Sequence, residues 1–463
     1  MEFLSDDILL TSQLAKDLYR SYARDLPIID YHCHIDPKDI LQDKKFENIT
    51  QLWLYGDHYK WRLMRNCGAD ERFITGGADD FQKFEAFARC LPRCIGNPIY
   101  VWCHMELKGY FGYEGEINGS TARRIFDFTK EKLASSEFSV RNIIRRSNVE
   151  IICTTDDPAD DLSAHIQLKR EENLGFKVLP SFRPDRAIHV EKKDFPRYVE
   201  KLQAASGVKI DGIESLKEAL LKRLDFFHRQ GCKVSDHALD SYIYRECGDA
   251  EAERIFQKAI ARQPLDELEV EKFQTYMLLF LAKKYAGYGM AMQLHYNCLR
   301  NNNSVMSRKL GSDTGFDSIN SSRSPVKLAR LLDALYEEGC LPKTIVYSLD
   351  PNDDKLINTI INCFQSEAVG KLQHGSAWWF NDTKCGIASH LATLAEYSVL
   401  GNFIGMLTDS RSFTSYIRHD YFRRLLCDFV ANQVNNGEYP NNKENLKTLI
   451  DNICYYNVKN YLF

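Results

Sequence analysis

The chain has 463 residues, of which 44% are hydrophobic and 27% charged, and its formal net charge is -4. This composition is typical of a globular protein with a large core, and it shows no basic excess that would indicate nucleic-acid binding. No run of about 18 apolar residues predicts a membrane span, and the N-terminus lacks the pattern of a signal peptide. We therefore expect a cytoplasmic protein whose scattered cysteines stay reduced.

The chain begins with a predicted helix over residues 12–23, where apolar residues recur every four positions. A short apolar strand follows from Ile28 and runs into His32 and His34. Because side chains alternate along a strand, both imidazoles should lie on one face, where they can share a zinc, manganese or iron(II) ion. An ordinary pair of polar residues after a strand is the alternative.

Residues 37–147 have a helical and aromatic-rich pattern without clear strand alternation. We interpret 36–148 as a long, mainly helical insertion after the first strand. Within it, Tyr59 lies in an aromatic stretch, residues 53–61, that also holds several titratable groups.

After this insertion, short apolar runs alternate with amphipathic helices up to the end of the chain. The further predicted strands lie near residues 150–154, 176–181, 233–235, 290–295, 344–348, 372–376 and 403–408. Strands that alternate with helices pair in parallel, and eight of them favour a single α/β domain over 1–463, a (β/α)8 TIM-type barrel. A doubly wound open sheet is the alternative. No glycine-rich fingerprint supports that alternative or indicates a nucleotide cofactor.

The ends of the predicted strands form a pattern that the barrel hypothesis explains. In such barrels the catalytic residues come from the C-terminal ends of the strands. Seven of the eight ends carry a charged group or a histidine, and the remaining end carries Trp378. The charged and imidazole groups are His32, His34, Asp156, Asp157, Arg183, Asp236, His237, His295, Asp350, Asp409 and Arg411. A ring of such groups indicates an active site.

Four of these residues resemble the metal-dependent amidohydrolase superfamily: His32, His34, His295 and Asp409. Longer motifs resemble one of its families, the uronate isomerases, and keep their order along nearly the whole chain. They are DYHCH at 30–34, GDHYKW at 56–61, TTDDP at 154–158, RPD at 183–185, KVSDHA at 233–238, RNNN at 300–303, WWFND at 378–382 and LTDSRSF at 407–413.

This resemblance implies an aldose–ketose isomerase of bacterial uronate catabolism, which interconverts glucuronate with fructuronate and galacturonate with tagaturonate. It implies that Asp409 is the base that removes the C2 proton and that Arg411 is the cation that polarises the carbonyl. Tyr59 would be a proton shuttle at the reacting oxygens, and His32 would help to open the sugar ring. A purely structural metal ligand is the alternative for Asp409, and aromatic packing is the alternative for Tyr59.

Three further residues are expected to bind the uronate. Arg183 suits the carboxylate because a guanidinium can bind both of its oxygens, with an ion pair to Asp185 or Asp156 as the alternative. His295 would bind a hydroxyl or complete a metal site, although a structural histidine is also consistent with the sequence. Trp378 would present an apolar face to the sugar or close the barrel mouth.

The metal expectation also follows from the resemblance. The chain lacks the superfamily's bridging lysine or glutamate on the fourth strand and its second histidine on the sixth. We therefore expect one divalent ion, zinc, held by His32, His34 and Asp409, and the sequence leaves open whether the reaction requires it. A metal-dependent hydrolase of a lactone or amide and a non-catalytic sugar-acid binding protein are the alternative functions. Homo-oligomerisation also stays open.

Overall fold

A computed structural model describes residues 3–321, 324–366 and 368–463 of the chain. In these ranges the strands are β1 (Ile28–Asp30), β2 (Val149–Cys153), β3 (Lys177–Leu179), β4 (Val234–Ala238), β5 (Ala291–Tyr296), β6 (Cys298–Leu299), β7 (Ser318–Ile319), β8 (Thr344–Ser348) and β9 (Leu372–His374). β1, β2 and β3 form one parallel sheet, and β4, β5, β8 and β9 form another. Isolated bridges from Phe182 to Asp156 and to Ser235 link the two sheets. The predicted parallel α/β architecture is therefore confirmed.

The α-helices surround these strands and begin and end close to the sequence signals. They are α1 (Gln13–Leu18), α2 (Pro37–Leu41), α3 (Ile49–Trp53), α4 (His58–Asn66), α5 (Asp80–Cys90), α6 (Pro98–Glu106), α7 (Ala122–Leu133), α8 (Val140–Arg146), α9 (Ser163–Leu168), α10 (Asp185–Ile188), α11 (Phe195–Ser206), α12 (Ile213–Arg229), α13 (Asp249–Ile260), α14 (Glu267–Gly287), α15 (Ser304–Leu310), α16 (Val326–Glu337), α17 (Asp354–Asn362), α18 (Lys384–Tyr397), α19 (Ile417–Asn435), α20 (Lys443–Asp451) and α21 (Asn457–Leu462). The first of them confirms the predicted N-terminal helix, and Ser12 caps it by accepting a hydrogen bond from the Ala15 backbone N–H.

The segment between β1 and β2 is helical, as the sequence predicts. It contains α2 to α8, and the described residues 31–148 form no strand. Its helices share a core with the end of the chain, since Trp102 packs edge-on against Tyr421 of α19 at a ring-centroid distance of 6.0 Å. This helical segment is therefore held against the rest of the fold by buried apolar surface.

Throughout the described ranges, no helix combines the length and the apolar character that crossing a bilayer requires. The fourteen cysteines are all free thiols, and most of them are buried. This agrees with the prediction of reduced core cysteines.

The strand predicted at 403–408 is wrong, because the described residues there pair in no ladder. Gly405 interrupts the extended backbone with a φ of +78°. A Cβ at this position would lie 2.2 Å from the backbone oxygen of Ile453, so only glycine fits. The apolar run therefore comes from burial of an irregular segment and not from strand pairing.

This irregular segment nevertheless lies beside the end of β1. The backbone N–H of Thr408 donates to Asp30 Oδ1 at 2.8 Å, and its hydroxyl donates to Asp30 Oδ2 at 2.6 Å. Beyond this contact, His34 N donates to Ser410 O at 3.0 Å. The end of the last predicted strand therefore lies beside the end of β1.

Replacing Gly405 with alanine should destabilise the fold more than the matched change Gly437→Ala. Both glycines have a φ of +78°, but nothing lies within 4 Å of a Cβ built at Gly437. We expect Gly437→Ala to lower the free energy of unfolding by about 1 kcal/mol, from backbone strain alone. Gly405→Ala should lose about 1–3 kcal/mol more through overpacking. Denaturant unfolding of both variants tests this, and equal losses would contradict it.

Candidate active site

A cavity of about 530 Å³ lies where the segments after the parallel strands meet the insertion. Its lining residues are His32, His34, His58, Tyr59, Arg183, Ala238, His295, Arg300, Asp313, Trp378, Trp379, Asp409 and Arg411. All eight residues that the sequence nominated for catalysis, substrate binding or metal binding are among them.

Asp409 lies between the two histidines that follow β1. Its Oδ1 is 3.3 Å from Nε2 of His32 and 3.1 Å from Nε2 of His34. Burial lowers the pKa of His34 to about 4, so this imidazole is neutral at neutral pH. Burial opposes ionisation of Asp409, but hydrogen bonds with both histidines hold its pKa well below its usual range.

The donor atoms of these three residues fit a metal ion. They lie within 4.8 Å of one another and comprise two imidazole nitrogens and a carboxylate oxygen. Divalent metals such as zinc bind this donor set when the histidines are neutral and the carboxylate is ionised. His32, Asp236 and His295 form a second, fully buried group of donors that shares His32.

The backbone and the second oxygen of Asp409 are also held in place. Asp409 has a φ of +44°, which is uncommon for a residue with a side chain, and its N–H donates to the carbonyl oxygen of His32 at 3.2 Å. The indole N–H of Trp378 donates to Oδ2 of Asp409 at 2.6 Å. The carboxylate therefore directs one oxygen to the histidines and the other to Trp378.

Asp236 is a fully buried carboxylate that contacts three residues of the cavity. Its oxygens lie 2.8 Å from Nδ1 of His295, 3.1 Å from Nη1 of Arg183 and 3.9 Å from Nδ1 of His32. Burial opposes its ionisation, but Arg183 and the two histidines hold its pKa well below the usual range. The sequence placed Asp236 at a strand end without indicating this shared role.

The predicted substrate-binding residues differ in how much of each side chain is free. Nε of Arg183 is 2.7 Å from Asp185, so the ion pair named as an alternative is present and Arg183 contacts two carboxylates. Nε2 of His295 is buried in the cavity wall and has no hydrogen-bond partner in the described residues. Each lines the cavity, and their roles toward substrate stay predictions.

Tyr59 combines aromatic packing with a free hydroxyl. Its ring stacks on that of His58 at 5.3 Å, and the guanidinium of Arg418 lies 5.3 Å from its centroid. Its buried hydroxyl has no hydrogen-bond partner in the described ranges. Burial raises the pKa of Tyr59 well above its usual value, so the phenol is protonated and can donate.

Several of the predicted strand-end residues do not line the described cavity. Arg300 and Asp313 do line it, although neither was predicted to be a site residue. Asp156, Asp157, His237 and Asp350 are outside the described lining of the cavity. Asp350, for example, caps a turn by accepting a hydrogen bond from the Asn352 N–H at 3.0 Å. Arg300 could have been found from the RNNN motif, whereas Asp313 follows no strand and belongs to none of the quoted motifs.

Comparison with known proteins decides the family. The sequence profile described as Glucuronate isomerase matches residues 1–462. The chain belongs to the glucuronate isomerase family. A uronate isomerase of Caldanaerobacter subterraneus subsp. tengcongensis is 50% identical over 462 residues, covering 100% of this chain and 99% of that protein. The protein is therefore an isomerase, and the hydrolase alternative is not favoured.

Solved structures of the family have the same fold. The crystal structure of uronate isomerase from Thermotoga maritima matches with a TM-score of 0.95 at 34% identity and covers 100% of both chains. That of glucuronate isomerase from Caulobacter crescentus matches with a TM-score of 0.92 at 26% identity, covering 99% of this chain and 96% of that one.

Replacing His34 should remove most of the affinity of the site for Zn²⁺. The variant His34→Gln loses one of three converging donors, and we expect a loss of more than about 100-fold. His58→Gln is the matched control, because His58 lines the same cavity but lies outside the donor group. Equilibrium dialysis with metal analysis measures both. Equal affinities in the two variants would contradict the assigned donor set.

Proposed function

We propose that the protein interconverts D-glucuronate with D-fructuronate and D-galacturonate with D-tagaturonate in the cytoplasm, as a step of bacterial uronate catabolism. The observation that carries this proposal is the arrangement of Asp409, Arg411 and Tyr59 around one cavity. Moving a proton between two adjacent carbons needs a base, a cation beside the reacting oxygens and a proton donor. The three side chains supply these groups.

We also propose that the parallel strands form a (β/α)8-type barrel within a single domain, with residues 36–148 as its helical insertion. The irregular segment 403–410 would occupy the place of the eighth strand. The hydrogen bonds that Thr408 donates to Asp30 and that the His34 backbone N–H donates to the Ser410 carbonyl oxygen support this closure.

In the first step, Asp409 would take the proton from C2 of the open-chain aldouronate. The electrons of the C2–H bond then form the C1–C2 double bond of an enediolate, and the aldehyde oxygen becomes negative. Arg411 would stabilise this charge, because its side chain lines the cavity two residues beyond Asp409.

In the second step, Tyr59 would move a proton from the C2 hydroxyl to the C1 oxygen. Asp409 then returns its proton to C1, which leaves a carbonyl at C2 and completes the ketouronate. The hydroxyl of Tyr59 is protonated and has no hydrogen-bond partner among the described residues, which supports its part in this transfer.

His32 would assist ring opening before these steps. Burial favours its neutral form, but Asp236 nearby raises the pKa of His32 above its usual value, which favours the form that can donate a proton. His32 can act in this way only when it is not bound to a metal. Arg183, His295 and Trp378 would contact the sugar, since all three line the cavity.

His32, His34 and Asp409 would hold one divalent ion, which we infer to be zinc from the donor types. When bound, such an ion would supply Lewis-acid chemistry. Each proton movement above is assigned to a side chain of the protein. Activity that survives rigorous chelation would therefore agree with this assignment, whereas a metal-dependent hydrolase would lose its activity.

Turnover in deuterated water should place deuterium at C1 of the ketouronate. A proton carried by Asp409 can exchange with solvent before it returns, whereas a hydride transferred directly from C2 to C1 cannot. NMR spectroscopy or mass spectrometry of the product measures this. A ketose formed without any deuterium at C1 would overturn the proton route.

Asp409→Asn should lower kcat by about 10³-fold and Tyr59→Phe by about 100-fold, because a positioned acid or base contributes roughly 10²- to 10⁴-fold. Tyr55→Phe is the matched control. Tyr55 belongs to the same aromatic stretch but is 56% exposed and lies outside the described cavity lining. Steady-state kinetics with glucuronate compares the three variants. Wild-type kcat in Tyr59→Phe would remove this residue from the mechanism.

A further inference from the structure

The segment after β5 carries a guanidinium that the mechanism above does not use. Arg300 lines the same cavity as Asp409 and Arg411. Its Nη1 donates to Asp317 at 3.0 Å. Its Nε and Nη2 groups have no hydrogen-bond partner in the part of the chain that the structure describes. One edge of this guanidinium is therefore available to a ligand.

The orientation of Arg300 is set by its neighbours. Asp317 is buried and also accepts a hydrogen bond from the Asn301 backbone N–H at 2.7 Å, so its carboxylate is anchored to the same loop. The guanidinium of Arg300 lies 5.5 Å from the ring centroid of Trp379. A planar guanidinium held in this way is preorganised to bind a carboxylate through two parallel hydrogen bonds.

A loop carboxylate already lies between two cavity arginines. Asp313 is 3.8 Å from Nη1 of Arg300 through Oδ1 and 3.5 Å from Nη2 of Arg411 through Oδ2. Both distances exceed the 2.7–2.9 Å that is usual for a charged hydrogen bond. The Asp313 side chain is 52% exposed, and such ion pairs contribute little to stability. Asp313 can therefore move aside at low cost when another carboxylate binds.

The third arginine of the cavity is less suited to a substrate carboxylate. Arg183 is held at Nε by Asp185 and at Nη1 by the fully buried Asp236. These two carboxylates balance the charge of Arg183 and occupy two of the three nitrogens of its guanidinium. Arg300 has one buried carboxylate partner, Asp317, and its Nε and Nη2 groups are free among the described residues. It therefore attracts an additional carboxylate more strongly than Arg183 does.

We propose that Arg300 binds the carboxylate of the uronate substrate and that this carboxylate displaces Asp313 from between Arg300 and Arg411. This inference rests on the proposed function, since it names the group that recognises the acid end of that substrate. Displacement of Asp313 also frees the guanidinium of Arg411 for the oxygen that becomes negative during the reaction. Selectivity for uronates over neutral aldoses follows from the same contact.

Kinetics of Arg300→Gln compared with Arg308→Gln is the first test. Arg308 is exposed on α15 of the same loop, so its replacement removes an equal charge away from the cavity. We expect Arg300→Gln to raise KM for glucuronate by about 10- to 100-fold, as for loss of a charged hydrogen bond, with kcat changed by less than about threefold. Arg308→Gln should leave both constants unchanged. Arg300→Lys should give an intermediate KM, because lysine keeps the positive charge but cannot form two parallel hydrogen bonds with a carboxylate.

Calorimetric binding of two non-reacting probes is the second test, and it does not depend on turnover. D-gluconate carries a carboxylate and D-glucitol is its neutral counterpart. The wild-type protein should prefer gluconate, and this preference should disappear in Arg300→Gln. Asp313→Asn should bind gluconate about two- to fivefold more tightly, because the competing loop carboxylate is gone.

An unchanged KM and an unchanged preference for gluconate in a folded Arg300→Gln protein would overturn the proposal. Should that variant fail to fold, the same two readouts in Arg300→Lys decide. Unaltered gluconate affinity in Asp313→Asn would overturn the displacement of Asp313. A gluconate preference that depends on Arg300 in a protein that isomerises no uronate would support the carboxylate site and overturn the proposed reaction.

Discussion

The buried carboxylate of Asp30 joins two parts of the chain that are 378 residues apart. It accepts two hydrogen bonds from Thr408, one from the backbone N–H and one from the hydroxyl. Asp30 is fully buried, and burial raises its pKa to about 6. The residue that follows Thr408 is Asp409, and His32 lies two positions beyond Asp30. The meeting of carboxylate and imidazole in the active site therefore depends on this contact.

Around this contact, the site brings together ionised groups that are largely buried. Asp236 balances the charge of Arg183 and contacts His295, and Asp409 is hydrogen-bonded to His32 and to the neutral imidazole of His34. Each buried charge thus has partners, as burial in a low dielectric requires. Removing one member would leave the others uncompensated. The same network that makes the site reactive also makes it sensitive to substitution.

The rim of the cavity is built from segments outside the parallel sheets. The insertion contributes Tyr59 on α4, and the loop after β5 contributes Arg300 and Asp313. The two segments are fastened together, since Arg62 of α4 donates to the backbone oxygen of Asp317 at 2.6 Å. Segments that follow the strands hold Asp409 and Arg411, whereas the rim adds Tyr59 to the proposed proton transfer and Arg300 to the proposed recognition of the substrate. Function is commonly divided in this way between a rigid scaffold and its loops.

The sequence by itself determined the strand and helix alternation and nominated eight residues that line the cavity, because burial imposes a local period and strand ends share one edge of a parallel sheet. Only the tertiary structure decided that Gly405 prevents a strand at 403–408, where the close approach of Ile453 requires a left-handed glycine. It likewise decided that Asp236 is shared by three partners and that Asp313 reaches the cavity. These features depend on distances between atoms remote in sequence, which a local pattern of residue types does not encode.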